Sequence, residues 1–323
     1  MNRQKLSKVN QTIRHLDAFL SPSKSLFDGY NPDIPRLLLD LCEPETPLFP
    51  RLLSLKTECR NDAEVLGVLP LLTPSLRSLS IVIHHSATDY MHELLEGIEK
   101  NLRNLEHLSL SYQPAPASTS NESTGDHSEL RELDSYVYFP AIAQALPRSL
   151  RTLSIPSGCA SIDTLFSISR LPLLESLTFA GKWEVDVHEE EWPELEACSF
   201  PMLNRLVVPG CSIRTAIGLL SIISDLTPLR EVDIALSEMS PGLRELWATL
   251  ARFHSSIRRI SVNHLGPGPS PIRAQEDLEA LATCSKLEDL ILGGPIEMST
   301  VDFRALVGRL PHTCAVRIGE NHS

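Results

Sequence analysis

A short pattern of apolar residues, L-x-x-L-x-(L/I/V/F), recurs along nearly the whole chain. Typical copies are "LRSLSI" from Leu76, "LEHLSL" from Leu105 and "LESLTF" from Leu174. From Leu52 to Leu287 consecutive copies, the weak one at Leu130 included, begin roughly 20 to 30 residues apart, a period typical of stacked repeats. A single repeat cannot bury its own apolar residues, so the pattern predicts a continuous stack of neighbouring units. The clear copies begin at Leu52, Leu76, Leu105, Leu150, Leu174, Leu203, Leu229, Ile257 and Leu287, and weaker ones begin at Ile13 and Leu130.

Each copy predicts one strand followed by a returning helix. Within the motif apolar and polar residues alternate, so Leu79 and Ile81 should face inward while Ser78 and Ser80 face outward. Between motifs the apolar residues recur at helical spacing instead. These helical stripes are Met91, Leu94, Leu95, Ile98 and Leu102; Ile213, Ala216, Ile217 and Leu220; Leu243, Leu246, Trp247, Leu250 and Phe253; and Phe303, Leu306, Val307 and Leu310.

The predicted fold class is α/β: a leucine-rich-repeat solenoid, or horseshoe, with a parallel concave β-sheet and convex helices. Length alone would suggest about two domains, but an unbroken repeat favours a single domain over 1–323. Within it we expect a divergent N-terminal repeat or cap at 1–48, repeats at 49–318 and a tail at 319–323.

Charge and cysteine usage restrict the cellular context. The formal net charge of −12 argues against a nucleic-acid partner, for which a basic stripe is expected. The longest uncharged apolar stretch is too short to span a bilayer, and the N-terminus lacks the apolar core of a signal peptide. The seven cysteines are odd in number and scattered. We therefore expect an intracellular protein, cytoplasmic or nuclear, with no membrane partner.

Three segments depart from the repeat and are predicted to be loops: 113–129, 181–197 and 263–271. Each begins where a predicted strand ends, so all three should leave from one edge of the sheet. The segment 181–197 is strongly acidic and holds two tryptophans. Two interpretations stay open for it: a solvated charged surface, or a docking element for a basic partner. Its candidate partner-binding residues are Trp183, Glu189, Glu190, Glu191 and Trp192.

The outward strand positions change character along the chain. The first half is rich in small hydroxyl residues, such as Ser78, Ser80 and Ser109, whereas the second half carries charges of alternating sign. The charged positions are either cross-strand ion pairs, which contribute little on a surface, or a recognition patch for a protein partner. They are Arg205, Glu231, Asp233, Arg259 and Asp289.

Motifs for catalysis are absent from the sequence. It contains no G-x-x-x-x-G-K-(S/T) or G-x-G-x-x-G phosphate loop, no H-E-x-x-H and no C-x-x-C pair. His84 and His85 are adjacent at a strand end, where they would point in opposite directions. We therefore predict no catalytic residues, no metal and no cofactor, and hence a protein that is not an enzyme.

The chain resembles the leucine-rich-repeat portion of fungal F-box proteins over roughly residues 11–318. The phrases that carry the resemblance are "LFPRLLSLKT" from Leu48, "LTPSLRSLSI" from Leu72 and "LPRSLRTLSI" from Leu146. In that family the repeats hold the substrate of a ubiquitin ligase, and an N-terminal F-box binds a Skp-type adaptor. The resemblance implies a non-enzymatic protein-interaction scaffold, similar to the substrate-recognition part of such a receptor.

The F-box opening, Leu-Pro-x-Glu-(I/V)-Leu, is not visible before the first repeat. A Skp-type adaptor is therefore expected as a partner only if an F-box is present upstream. The alternative hypothesis is a leucine-rich-repeat regulator of a small GTPase, although such proteins have more uniform repeats than this chain.

Overall fold

The computed structural model groups the chain into two units, Met1–Leu171 and Pro172–Ser323. The prediction of one domain over 1–323 stays a prediction, and the two units are described separately. The structure describes residues 14–18, 49–84, 90–113, 146–157, 162–181, 200–237, 242–265, 270–271, 278–293, 296–297, 299–311 and 314–319.

The first unit contains a parallel sheet whose strands follow chain order. The register places Ser54 beside Ser78, Ser78 beside His107, and His107 beside Thr152. Equivalent positions of successive repeats are therefore neighbours, as the motif predicts. The strands are β1 (His15–Ala18), β2 (Ser54–Cys59), β3 (Ser78–His84), β4 (His107–Gln113) and β5 (Thr152–Pro156).

The alternation of the motif determines which side chains enter the core. Leu79 and Ile81 are fully buried, whereas Ser78 and Ser80 are half-buried on the other face. The predicted inward and outward assignments are confirmed here. The helices that follow the strands are α1 (Asp62–Val68), α2 (Met91–Asn101) and α3 (Ile162–Ser169), and a short 3-10 segment, Leu69–Leu71, follows α1.

The weak motif copy at Leu130 lies outside the described residues. The strands before and after it in sequence, β4 and β5, pair directly with each other. The clear copies at Leu105 and Leu150 are thus neighbours in the sheet, although the sequence placed a further copy between them.

The second unit repeats the same architecture with six parallel strands in chain order. A separate pair of two-residue strands, β10 (Ser270–Pro271) and β12 (Ile296–Glu297), also runs parallel. The six strands of the main sheet are β6 (Ser176–Ala180), β7 (Arg205–Cys211), β8 (Glu231–Leu236), β9 (Arg259–His264), β11 (Asp289–Gly293) and β13 (Ala315–Gly319).

Two of the three described helices of this unit bury most of the stripe residues that the sequence indicates. The three helices are α4 (Ile213–Ile222), α5 (Leu243–Ala251) and α6 (Thr300–Arg309), with a 3-10 segment at Glu279–Thr283. In α4 the Ser212 side chain accepts a hydrogen bond from the backbone N–H of Thr215 and caps the helix. Parallel strands alternating with helices establish the predicted α/β leucine-rich-repeat solenoid.

Two details of this unit differ from the sequence expectation. The predicted loop 263–271 is too wide, because Asn263 and His264 complete β9 and Ser270–Pro271 forms β10. In α6, Phe303 and Val307 are exposed although their stripe was predicted to be buried. Only Leu306 and Leu310 of that stripe are buried, on the side where α6 packs against Glu279–Thr283.

His264 lies at the buried end of β9 and makes folding sensitive to pH. Burial lowers the pKa of this imidazole below the ordinary value of 6.5. The unfolded chain therefore binds a proton that the folded chain does not, in the range just below pH 6.5. We expect the free energy of unfolding to fall as pH drops from 6.5, and His264→Gln to reduce that dependence in urea titrations at several pH values. An unchanged pH dependence in His264→Gln would contradict this prediction.

Candidate functional site

Four charged residues of alternating sign lie side by side on the second unit. Arg205, Glu231, Arg259 and Asp289 are the first residues of β7, β8, β9 and β11. These strands are consecutive neighbours in the sheet, and their register pairs each of the four with the next. We call this set the charged row. Because the motif starts every strand at the same position, the charges fall in register.

The two arginines of the charged row form only long ion pairs. The side chain of Arg205 is 55% exposed and its Nε lies 3.8 Å from Oε2 of Glu231. Arg259 is 50% exposed, and its Nε lies 3.9 Å from Oδ2 of Asp289. Both distances exceed hydrogen-bond length, and neither guanidinium donates a hydrogen bond to any described residue. Their donors therefore stay available to another molecule.

A tighter ion pair lies immediately before the same two strands. Arg258 and Glu288 precede Arg259 and Asp289, the first residues of β9 and β11, by one residue. Nη1 of Arg258 donates a 2.9 Å hydrogen bond to Oε1 of Glu288. One ion pair is therefore closed just before the strands, and the neighbouring pair in the charged row is open.

Arg317, which the sequence analysis missed, adds a third guanidinium. It lies on β13 with a 65% exposed side chain, and its Nη2 is 3.5 Å from Oδ1 of Asp289. That oxygen is buried and makes no hydrogen bond to the described residues. The strand lacks the L-x-x-L-x-L motif, but the alternation of Cys314, Val316 and Ile318 could have indicated that Arg317 points outward.

Beside the charged row, the next outward positions of the same strands form a surface of mixed polar and apolar residues, which we call the floor. It consists of Val207, Asp233, Ser261 and Ile291. Val207 and Ile291 are half-buried apolar residues at its two ends. In the middle, Nδ2 of Asn263 donates to Oγ of Ser261 at 3.1 Å and lies 3.5 Å from Oδ1 of Asp233. Ser261 lies on the outward face of β9 but is buried, and it accepts the hydrogen bond from Asn263.

The other predicted site residues, Trp183, Glu189, Glu190, Glu191 and Trp192, lie outside the described residues. The acidic segment that holds them follows Ala180, the last residue of β6. The charged row lies at the opposite ends of the strands, at their first residues.

The outward face of the first unit is less charged. It carries the half-buried hydroxyls of Ser80, Ser109 and Ser154. At one end, Oε1 of Glu58 accepts hydrogen bonds from Nε of Arg60 at 2.9 Å and Nε2 of His84 at 2.7 Å. Burial alone would raise the pKa of Glu58, but these two partners hold it below the ordinary value. The Glu58 carboxylate is therefore already paired within the first unit.

The described cysteines do not resemble nucleophiles. Burial raises the pKa of both Cys59 and Cys211 to about 12, so their thiols stay protonated. Among the described residues, no group of three His, Cys, Asp or Glu side chains is placed to hold a metal ion. None of the described helices is long and apolar enough to cross a membrane.

Comparison with known proteins assigns no family to the chain. No protein-family model and no curated protein sequence matches the chain. Among solved structures, the chain is similar to the leucine-rich-repeat-containing protein LegL7 from Legionella pneumophila, with 16% sequence identity and a TM-score of 0.45. The match covers 95% of this chain and 91% of that chain.

Proposed function

We propose that this chain is a non-enzymatic scaffold that binds a protein partner through the charged row and its floor. The observation that carries the proposal is the pair of half-exposed guanidiniums, Arg205 and Arg259, whose donors are not used within the described chain. Arginine presents five N–H donors in a fixed planar arrangement that suits carboxylates of a partner. The parallel sheet fixes the backbone positions of both arginines, so only their side chains must be ordered on binding.

The half-buried Val207 and Ile291 support the same surface. An interface needs apolar contact as well as charge, because charge complementarity contributes more to orientation and association rate than to affinity. Here apolar residues and open charges lie on adjacent positions of the same strands. The acidic segment with Trp183 and Trp192 is proposed as a second contact, with its tryptophans as anchors.

A more specific proposal concerns the role of the bound protein. The resemblance of "LTPSLRSLSI" and "LPRSLRTLSI" to F-box proteins supports a role as the substrate-recognition part of a ubiquitin-ligase receptor. On this proposal the bound protein is the substrate, and a Skp-type adaptor binds only where an F-box is present. No contact described above favours the small-GTPase alternative over this one.

The proposed surface is tested by exchanging its charges. We expect Arg205→Glu with Arg259→Glu to reduce capture of partner proteins from a lysate of the source cells about tenfold, because two attractive contacts become repulsive. The measurement is quantitative mass spectrometry of the proteins retained by each immobilised variant. Trp192→Ala, and the joint change of Glu189, Glu190 and Glu191 to Gln, test the second contact in the same experiment.

The control places a change on the other unit. Ser78→Ala with Ser80→Ala alters the hydroxyl face while leaving the charged row intact, and it should retain the same proteins as the parent. If the control loses the captured proteins and the charge-reversed variant keeps them, the binding surface lies on the first unit and the proposal is wrong.

A further inference from the structure

The spacing of the charged row constrains the shape of what it can bind. Its four residues lie on neighbouring strands about 4.8 Å apart, so the row is about 14 Å long. A partner that pairs with all four charges must present four side chains at this spacing on one side. The question is which type of secondary structure does so.

An extended strand does not fit. Its side chains on one face are two residues apart, or about 6.7 Å, so four of them extend over about 20 Å. An α-helix fits better, because positions i, i+3, i+7 and i+10 extend over about 15 Å at a rise of about 1.5 Å per residue. Those four positions also lie within about 80° of one another around the helix axis, since each residue turns by about 100°.

The signs of the charges then dictate the partner's sequence pattern. Along the sheet the row reads positive, negative, positive, negative, from Arg205 to Asp289. A helix with acidic residues at i and i+7 and basic residues at i+3 and i+10 is complementary at every position. The reversed order, basic first, is complementary when the helix runs in the opposite direction.

The floor is compatible with a helix lying along the row. In its polar centre Asn263 donates a hydrogen bond to Ser261 and lies 3.5 Å from Oδ1 of Asp233. A helix that covers this centre must therefore present a hydrogen-bond donor to the Asp233 carboxylate, because burying a carboxylate without a partner is costly. At the two ends Val207 and Ile291 offer apolar contact to the helix.

From this geometry we propose that the partner binds as an α-helix whose contacting face alternates acidic and basic residues at i, i+3, i+7 and i+10. The proposal rests on the proposed function, because it names the chemistry of the partner for the same surface. The row's ion pairs, open at 3.8 and 3.9 Å, support it, whereas Arg258 and Glu288 already close to 2.9 Å. The side chains of the bound helix form ion pairs with the four charged residues of the row.

The test uses stapled helical peptides as probes. All carry the same two leucines for contact with the floor, and Glu or Lys at the four positions in every combination. We expect Glu-Lys-Glu-Lys and Lys-Glu-Lys-Glu to bind about tenfold more tightly than Glu-Glu-Lys-Lys, which has the same composition but two mismatched charges. Fluorescence anisotropy at low ionic strength measures the dissociation constants.

Variants of the protein provide the second part of the test. Arg259→Glu should move the preference to peptides with Lys at the position facing residue 259. Arg244 is the matched control: it is an exposed arginine of α5 away from the row, and Arg244→Glu should leave the preference unchanged. Circular dichroism checks that both variants remain folded.

Two outcomes overturn the inference. Either the peptide affinities follow net charge alone, without regard to order, or none of the peptides binds detectably. If the charge-reversed variant still loses its partners from the lysate in that case, the proposed surface stands and only the helical pattern is wrong. If both experiments fail, the surface itself is misplaced.

Discussion

Leu177→Asp is expected to abolish cooperative folding of the second unit. Leu177, the second residue of β6, is fully buried and lies in register with Leu206 on β7. The change removes a buried side chain, which costs about 2–5 kcal/mol, and adds an unpaired carboxylate to an apolar core. The total is comparable with the whole stability of a typical domain.

The measurement is thermal unfolding followed by circular dichroism. Thr178→Asp is the matched control, because Thr178 is the next residue on the same strand and faces outward, half-buried. Its effect should stay below about 1 kcal/mol, as is usual for surface changes. Equal melting temperatures for Leu177→Asp and the parent would show that Leu177 does not belong to the core.

Trp247→Ala is expected to cost about 3–5 kcal/mol of unfolding free energy, through the cavity it leaves. Among the described residues Trp247 is the largest fully buried side chain, and it lies on α5, which packs against both α4 and the Glu279–Thr283 segment. Its loss therefore removes contacts among three convex elements at once. Urea unfolding of the variant and the parent measures the difference.

Trp247→Phe separates packing from hydrogen bonding at this site. The indole Nε1 of Trp247 is buried and makes no hydrogen bond to the described residues. Phenylalanine fills most of the space and removes an unsatisfied donor that itself costs about 1–3 kcal/mol. We expect this variant to lie within about 1.5 kcal/mol of the parent. A loss as large as that of Trp247→Ala would mean that the indole N–H has a partner.

Much of the core can be predicted from the sequence, because apolar residues alternate by two within the motifs and recur at the helical period between them. Alternation by two identifies Leu79 and Ile81 as buried, and the helical period identifies the buried face that includes Leu246 and Leu250. These assignments depend only on local backbone geometry. The same reasoning fails for Phe303 and Val307, because burial of a helix stripe also requires a neighbour on that side.

The candidate site can be predicted from the sequence only in part. The motif places Arg205, Glu231, Arg259 and Asp289 at equivalent positions, so their alignment across strands follows from the repeat alone. The sequence does not reveal that their ion pairs are open, since long side chains have many rotamers and the choice depends on all neighbours. Arg317 escaped notice because its strand lacks the motif.

The repeat, the parallel order of strands within each unit and the inward leucines can be predicted from the sequence alone, because they follow from periodicity and the need to bury apolar surface. The folded structure was needed to show that β4 pairs with β5, that Ser261 is buried and that Arg205 and Arg259 donate no hydrogen bond to the described residues. Those features depend on contacts between residues distant in the chain, which no local pattern encodes.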